Sequence, residues 1–290
     1  MSVYVTKMNG DREPFNERKI FKSCIRAGAK HETAKKITQQ VQKKLYNGIS
    51  THDVMKITHE LLDSAAKPVA MRYNLKEALA QLSPEFHEFE LFMTKLFTYN
   101  GHKTQHSPKP KIQGYCIDHE IDVVVEGPGE FIALVECKHH YKAHTFTGLD
   151  VPMRQWARLK DVCEGKSNNK RNCIAAKEAW VVTNTKFSTH AENYARCRNV
   201  RLLGWNFPQR SGINDIIENY KAYPLTLLNL TKQERECLVN EDIIDTNDFL
   251  ESNDFNFTKA KISLTRAKEL KKEINELYTI KDPKTLEPEF

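Results

Sequence analysis

With 290 residues, 40% hydrophobic and 28% charged, the chain has the composition of a globular protein with room for two or three domains, which excludes an intrinsically disordered chain. No run approaches the roughly 20 apolar residues of a membrane helix, and Met1-Ser2-Val3-Tyr4 lacks a basic-then-apolar leader, so a cytoplasmic enzyme with no membrane partner is expected. The seven cysteines form no C-x-x-C pair, which argues against a zinc site or a disulfide framework. The net charge of +6 is uneven: residues 1–82 hold 15 basic against 8 acidic side chains, 83–210 hold 18 against 14, and 211–290 hold 11 against 16. Positive charge in the first two thirds suits a polyanion such as nucleic acid or a nucleotide.

Residues 3–16 predict a small hairpin, Val3-Tyr4-Val5 against Glu13-Pro14-Phe15, turned at Asn9-Gly10 and followed by Asn16 as a helix cap. Helical spacing then predicts four helices: from Glu17 with Ile20, Cys24 and Ile25 buried, and from His31 to Tyr46 with Ile37, Val41 and Leu45 buried. The third starts at the Ser50-Thr51-His52-Asp53 cap and runs through Val54, Ile57, Leu61 and Leu62, and the fourth spans about Val69 to Leu82. Read as bare chemistry, the lysines here form a solvated face or a DNA-contacting surface.

A hairpin and four helices carrying Val5-Thr6-Lys7, Asn9-Gly10, Phe15, Lys19-Ile20, Gly48-Ile49-Ser50-Thr51, Arg72-Tyr73 and Lys76 resembles the ATP-cone, a nucleotide-sensing domain, over residues 3–82. The resemblance implies ATP or dATP as a regulatory ligand, with phosphates held by Lys7 and Lys19, Thr51 at a helix N-terminus, and Arg72 and Lys76 completing the set. Met8 departs from the family, which usually has a second basic residue there, and Asn9 replaces a common Asp.

Ser83-Pro84 breaks the chain at a domain boundary, and Pro84-Glu85-Phe86 opens a predicted helix that buries Phe86, Phe89, Leu91, Phe92, Leu96 and Phe97 and ends near Asn100-Gly101. A short strand at Thr104–His106 and a stiff basic loop, Ser107 to Lys111, lead to the most informative stretch. Asp118 to Val125 and Phe131 to His140 read as the arms of a β-hairpin joined by Glu126-Gly127-Pro128-Gly129-Glu130. Side chains alternate along a strand, so Glu136 and Lys138 share a face and Cys137 points away. A symmetric five-residue join sets Asp122 opposite Leu134 and Glu120 opposite Glu136, which leaves Asp122 on the face of Glu136 and Lys138. Two acids so close repel each other unless a hard cation such as Mg²⁺ (or Mn²⁺) lies between them. The plainer alternative is an exposed Glu136–Lys138 ion pair with Asp122 capping a turn.

Asp122 with Glu136-Cys137-Lys138, followed by Trp180-Val181-Val182-Thr183-Asn184 and Phe187-Ser188-Thr189-His190-Ala191, resembles the PD-(D/E)XK nucleases, and the Mrr-type restriction endonucleases in particular, over residues 84–207. The resemblance implies an α/β restriction-endonuclease-like core, a mixed central sheet flanked by helices, acting on DNA. It assigns the metal to Asp122, Glu136 and the Cys137 carbonyl, gives Lys138 the attacking water, and makes Glu90 and Gln155 further catalytic candidates with Glu120 as an auxiliary.

A helix from about Val151 to Cys163 carries Arg154-Gln155-Trp156 and Arg158, and the polar loop Lys166 to Asn172 is expected to be flexible. Strands at Ala179–Thr183 and Val200–Gly204 flank a helix at Thr189–Arg198, with Trp205 and Phe207 closing the core. Residues 208–290 read as a small acidic helical domain, without the glycine hairpin of phosphate-binding helix-hairpin-helix modules and therefore suited to packing or oligomerisation. The function expected from these readings is a Mg²⁺-dependent DNA endonuclease, adjusted by a nucleotide effector and working as a homo-oligomer. A junction resolvase or RNase would use the same side chains, and an inactive nuclease fold in a nucleotide-sensing DNA-binding regulator is the non-enzymatic alternative.

Overall fold

The computed structural model describes residues 3–7, 10–129, 131–142, 145–168 and 171–280. The chain divides into two compact units, one formed by residues up to Leu75 together with those from Ser263 onward, the other by Lys76–Ile262.

In the first unit β1 (Tyr4–Thr6) and β2 (Arg12–Pro14) pair antiparallel with Val5 opposite Glu13. Gly10 takes the positive φ that such a turn needs, while Met8 and Asn9 lie outside the described residues. Three helices follow, α1 (Glu17–Arg26), α2 (His31–Lys44) and α3 (Thr51–Ala65). The caps are those the sequence indicates: Asn16 accepts from the Arg18 amide at 3.0 Å, and Ser50 accepts from the Asp53 amide at 3.0 Å. Strand β1 is stitched to the loop before α3, Thr6 N–H donating to Ile49 O and Gly48 N–H to Tyr4 O. Val5 thereby joins a core of Ile20, Cys24, Ile37, Val41, Ile49, Val54 and Leu62.

The single fourth helix expected over Val69–Leu82 is two helices, α4 (Lys67–Tyr73) and α5 (Leu75–Ala80). Asn74 sits between them near φ −87°, ψ 0°, closing α4 through its own amide, as a short polar residue does where it competes with helical backbone. The last helix among the described residues, Leu264–Tyr278, also belongs to this unit and packs on α4, with Lys67 Nζ 3.1 Å from Glu273 Oε1.

The second unit begins within α5 at Lys76. Helix α6 (Glu88–Tyr99) starts later than Pro84 suggested, because His87 is left-handed at φ 51° and the Ser83 amide is taken by Glu88 Oε2 at 2.8 Å. After it come β3 (Lys103–His106), β4 (Ile112–Gln113), β5 (Asp118–His119), β6 (Val123–Gly127), β7 (Phe131–Lys138), β8 (Phe146–Thr147), α7 (Asp150–Ser167), β9 (Ala176–Thr183), β10 (Lys186–Phe187), α8 (Thr189–Arg198) and β11 (Val200–Leu203). Five strands form one mixed sheet in the order β11-β9-β7-β6-β3, parallel from β11 to β7 and antiparallel from β7 to β3. Helix α7 covers one face, where Val162 packs with Val124, Leu134, Ile112 and Ala176. The expected loop at Lys166–Asn172 begins only after Ser167, and the Asn172 side chain ties it to Pro110 O at 3.0 Å; Asn169 and Lys170 lie outside the described residues. Phe207 packs against Phe187 with ring centroids 5.9 Å apart, while Trp205 is only half-buried.

The hairpin register differs from the symmetric expectation. Gly127 pairs with Phe131 and Val123 with Val135, so continuing the ladder sets Asp122, not Glu120, opposite Glu136. The Phe131 ring lies where a side chain on residue 127 would be, so the strands close directly over Gly127, and Gly129 supplies a positive φ in the shortened loop. Each arm moves by one position in opposite senses, so the faces are kept.

Residues 208–290 do not form a unit by themselves. Helices α9 (Ile213–Tyr220), α10 (Lys232–Asn240), α11 (Thr246–Glu251) and α12 (Asp254–Lys259) belong to the second unit, and Leu264–Tyr278, now α13, to the first. No helix among the described residues is long and apolar enough to cross a membrane.

Candidate functional site

In the second unit β7 runs three positions beyond the partner of the first β6 residue, so the Cys137 amide has no ladder partner on that side. It donates to Asp122 Oδ2 at 2.6 Å. In a strand the N–H and C=O of one residue project toward the same neighbour, so the Cys137 carbonyl faces the Asp122 side as well. Burial first, then the nearby carboxylates of Glu136 and Glu90, push the Asp122 carboxyl up to about 7 against the pull of the Cys137 amide. The Cys137 thiol is pushed well up by burial, which keeps it a neutral packing group.

Glu136 is held by Arg158, whose Nη1 donates to its Oε2. The same Nη1 reaches Gln155 Oε1 at 2.9 Å, and Gln155, completely buried, spends its Nε2 on the Leu134 carbonyl at 2.7 Å. Gln155 therefore stands behind the acids and meets them through Arg158. Lys138 is half-buried, and among the described residues it has neither an ion-pair partner nor a hydrogen bond, so its ammonium is uncommitted.

Glu90 lies on α6 between His87 Nδ1 at 3.1 Å and His106 Nε2 at 3.3 Å. Burial raises its carboxyl, but the two imidazoles outweigh it and leave Glu90 below its ordinary value. Glu120 is not part of the cluster: it is exposed and paired with Lys111 at 2.5 Å. His139 and His140, following β7, are fastened inward, His139 Nε2 to Leu79 O at 2.8 Å and the His140 amide to Asn184 Oδ1 at 2.9 Å.

The donors facing this point are carboxylate and carbonyl oxygens, the set that suits a hard divalent cation. No group of three His, Cys, Asp or Glu side chains among the described residues is arranged to bind a metal. Two carboxylates and one carbonyl fit Mg²⁺ or Mn²⁺, since Mg²⁺ commonly takes one or two protein carboxylates and keeps its waters.

In the first unit Glu13 stands between two lysines, Lys7 Nζ at 2.9 Å and Lys19 Nζ at 2.8 Å. Hydrogen bonds from both hold the Glu13 carboxyl below its ordinary value, and Glu13 in turn raises Lys7. Lys19 also lines a pocket of ≈ 620 Å³ with Phe15, Asn16, Arg18 and Gln42, at the capped start of α1. Thr51 is the first residue of α3, and Arg72 is buried against Gly28. Lys76, on α5, is the first residue of the second unit, and burial and then Lys186 hold its ammonium below the usual lysine range.

Three family models match the chain: an ATP cone domain over residues 3–77, a restriction endonuclease domain over 81–206, and the AF1548-like C-terminal domain over 223–278. A curated protein of Archaeoglobus fulgidus, described as uncharacterized, is 32% identical over 178 residues, covering 61% of this chain and 95% of the relative. The crystal structure titled as the protein of unknown function AF1548 is similar with a TM-score of 0.57 at 28% identity, over 67% of this chain and 98% of that one. A weaker likeness, TM-score 0.30 at 16% identity over 48% of this chain and 30% of that one, is to the MspJI restriction endonuclease in complex with a 27-mer oligonucleotide. With its mixed sheet carrying Asp122, Glu136 and Lys138, the chain belongs to the family of that Archaeoglobus protein and joins an ATP cone to a restriction-endonuclease domain of the Mrr type.

Proposed function

We propose that the chain is a divalent-metal-dependent endonuclease that hydrolyses phosphodiester bonds in DNA, and that ATP or dATP bound to the cone adjusts this activity. The observation that carries the reading is the junction of β6 and β7. There Asp122 and Glu136 occupy facing positions, Asp122 is pinned by the Cys137 amide, and Lys138 stands two residues on with its charge unspent. Mg²⁺ or Mn²⁺, held by Asp122, Glu136 and the Cys137 carbonyl, would supply Lewis-acid charge at the phosphoryl oxygens. The Cys137 N–H fixes the Asp122 carboxylate, so that the acid keeps one orientation as it changes protonation. Lys138 orients a water toward the phosphorus and stabilises the negative charge that grows there. Glu90, held by its two histidines, adds negative potential at Asp122 and favours a cation at that point.

The cone's part rests on Lys7 and Lys19, which exchange Glu13 for nucleotide phosphates, with the first turn of α3 at Thr51 offering free backbone N–H groups. Incubating supercoiled, linear, branched and single-stranded DNA with Mg²⁺ or EDTA, with and without ATP or dATP, tests both halves. Mg²⁺-dependent cleavage that E136A and K138A each reduce by about a hundredfold or more is the expected result. Equal activity in EDTA would sink the metal assignment.

A further inference from the structure

Arg158 was visible in the sequence beside Gln155 but was given no role, and nothing in the similarity to other proteins assigns it one. Its guanidinium reaches Glu136 Oε2 and Gln155 Oε1, and its charge is felt by Asp122 and Glu120 as well. The guanidinium thus faces both acids that the proposed function gives to a divalent metal. An oxygen that accepts from a guanidinium has less to offer a metal ion, because both draw on the same lone pairs and their positive charges repel.

We propose that Arg158 is a positioning residue that guards Glu136: it competes with the divalent cation for this carboxylate and, once displaced, turns its fork of N–H donors onto a phosphate of the DNA substrate. Gln155 is the pivot. Fully buried and anchored to the Leu134 carbonyl, it holds one N–H of Nη1 in reach of the site while the other, which donates to Glu136, changes partner with the rest of the guanidinium. The planar guanidinium matches a phosphate as well as it matches a carboxylate, so the exchange keeps charge-assisted hydrogen bonds on both sides. This inference rests on the reading of Asp122 and Glu136 as metal-holding acids.

A plain strut that keeps Glu136 in position predicts the opposite sign in one measurement. Mn²⁺ affinity is measured by calorimetry on the full chain without DNA for the wild type, R158Q, R158K and E136Q, and affinity for a DNA duplex is measured with Ca²⁺ in place of Mn²⁺. A guard predicts that R158Q binds Mn²⁺ about fivefold tighter or more and the duplex about fivefold weaker, with R158K shifted in the same directions by less. Mn²⁺ binding that is unchanged or weaker in R158Q overturns the proposal. Should R158Q fail to fold by circular dichroism, R158K decides by the same signs. E136Q separates the two levels: unchanged Mn²⁺ affinity there removes the metal site itself, whereas lost affinity in E136Q with no gain in the Arg158 variants removes only the guard.

Discussion

The two charged clusters of this chain are near-inversions of each other. In the first unit one acid, Glu13, stands between two lysines at an exposed edge. In the second, Asp122 and Glu136 stand before one arginine where the sheet is half-buried. Hydrogen bonds from Lys19 and Lys7 hold Glu13 below its ordinary value, whereas burial and a second carboxylate push Asp122 up to about 7. The same side-chain chemistry is quiet in one place and poised in the other, and the difference lies in solvent and in the sign of the majority.

Five substitutions break or sharpen that contrast. The largest effect falls on the poised cluster: K138A, which removes the uncommitted ammonium, lowers DNA cleavage by about two to four orders of magnitude in initial-rate assays while leaving the melting temperature nearly unchanged. Next, K7A and K19A each weaken ATP or dATP binding by about tenfold in calorimetry, because a charge-assisted phosphate contact is lost from each.

The third effect is on stability. Asp122 binds its proton more strongly folded than unfolded, so its contribution is full below the ordinary carboxylate value of 3.8 and is lost as pH rises through about 7. D122N, which can still accept from the Cys137 amide, is therefore inactive but more stable than the wild type at pH 8, by roughly 2–4 kcal/mol. Thermal melts in EDTA should show that gain shrinking to nothing near pH 4, and a D122N protein less stable at pH 8 would refute the assignment. The smallest effect belongs to the quiet cluster. E13Q shifts the melting temperature by no more than about 1 °C, as surface ion pairs do, and tightens nucleotide binding about two- to threefold by releasing both lysines.

Much of the second cluster was legible because strand parity survives an error in register. The one-position shift at each arm, set by Phe131 lying over Gly127, moved Glu120 away from Glu136 and brought Asp122 opposite it, yet Asp122, Glu136 and Lys138 stayed on one face. Caps at Asn16 and Ser50 were readable because one side chain and one amide decide them. Arg158 was harder. Its spacing of three from Gln155 signalled a shared helix face, but only the position of α7 on the sheet shows that the face looks onto Glu136. The single helix expected to carry Lys76 is instead two, because Asn74 divides it.

Because α13 returns to pack on α4, the second unit is spliced into the first rather than strung after it, like a cassette held at both ends. A fragment cut after residue 82, where sequence alone would place the cone's edge, would strip α4 of Glu273 and of the apolar side of α13 formed by Ala267, Leu270, Ile274 and Leu277. The chain therefore crosses between the two units twice, at Leu75–Lys76 and at Ile262–Ser263, so each unit is anchored to the other by two covalent tethers rather than one.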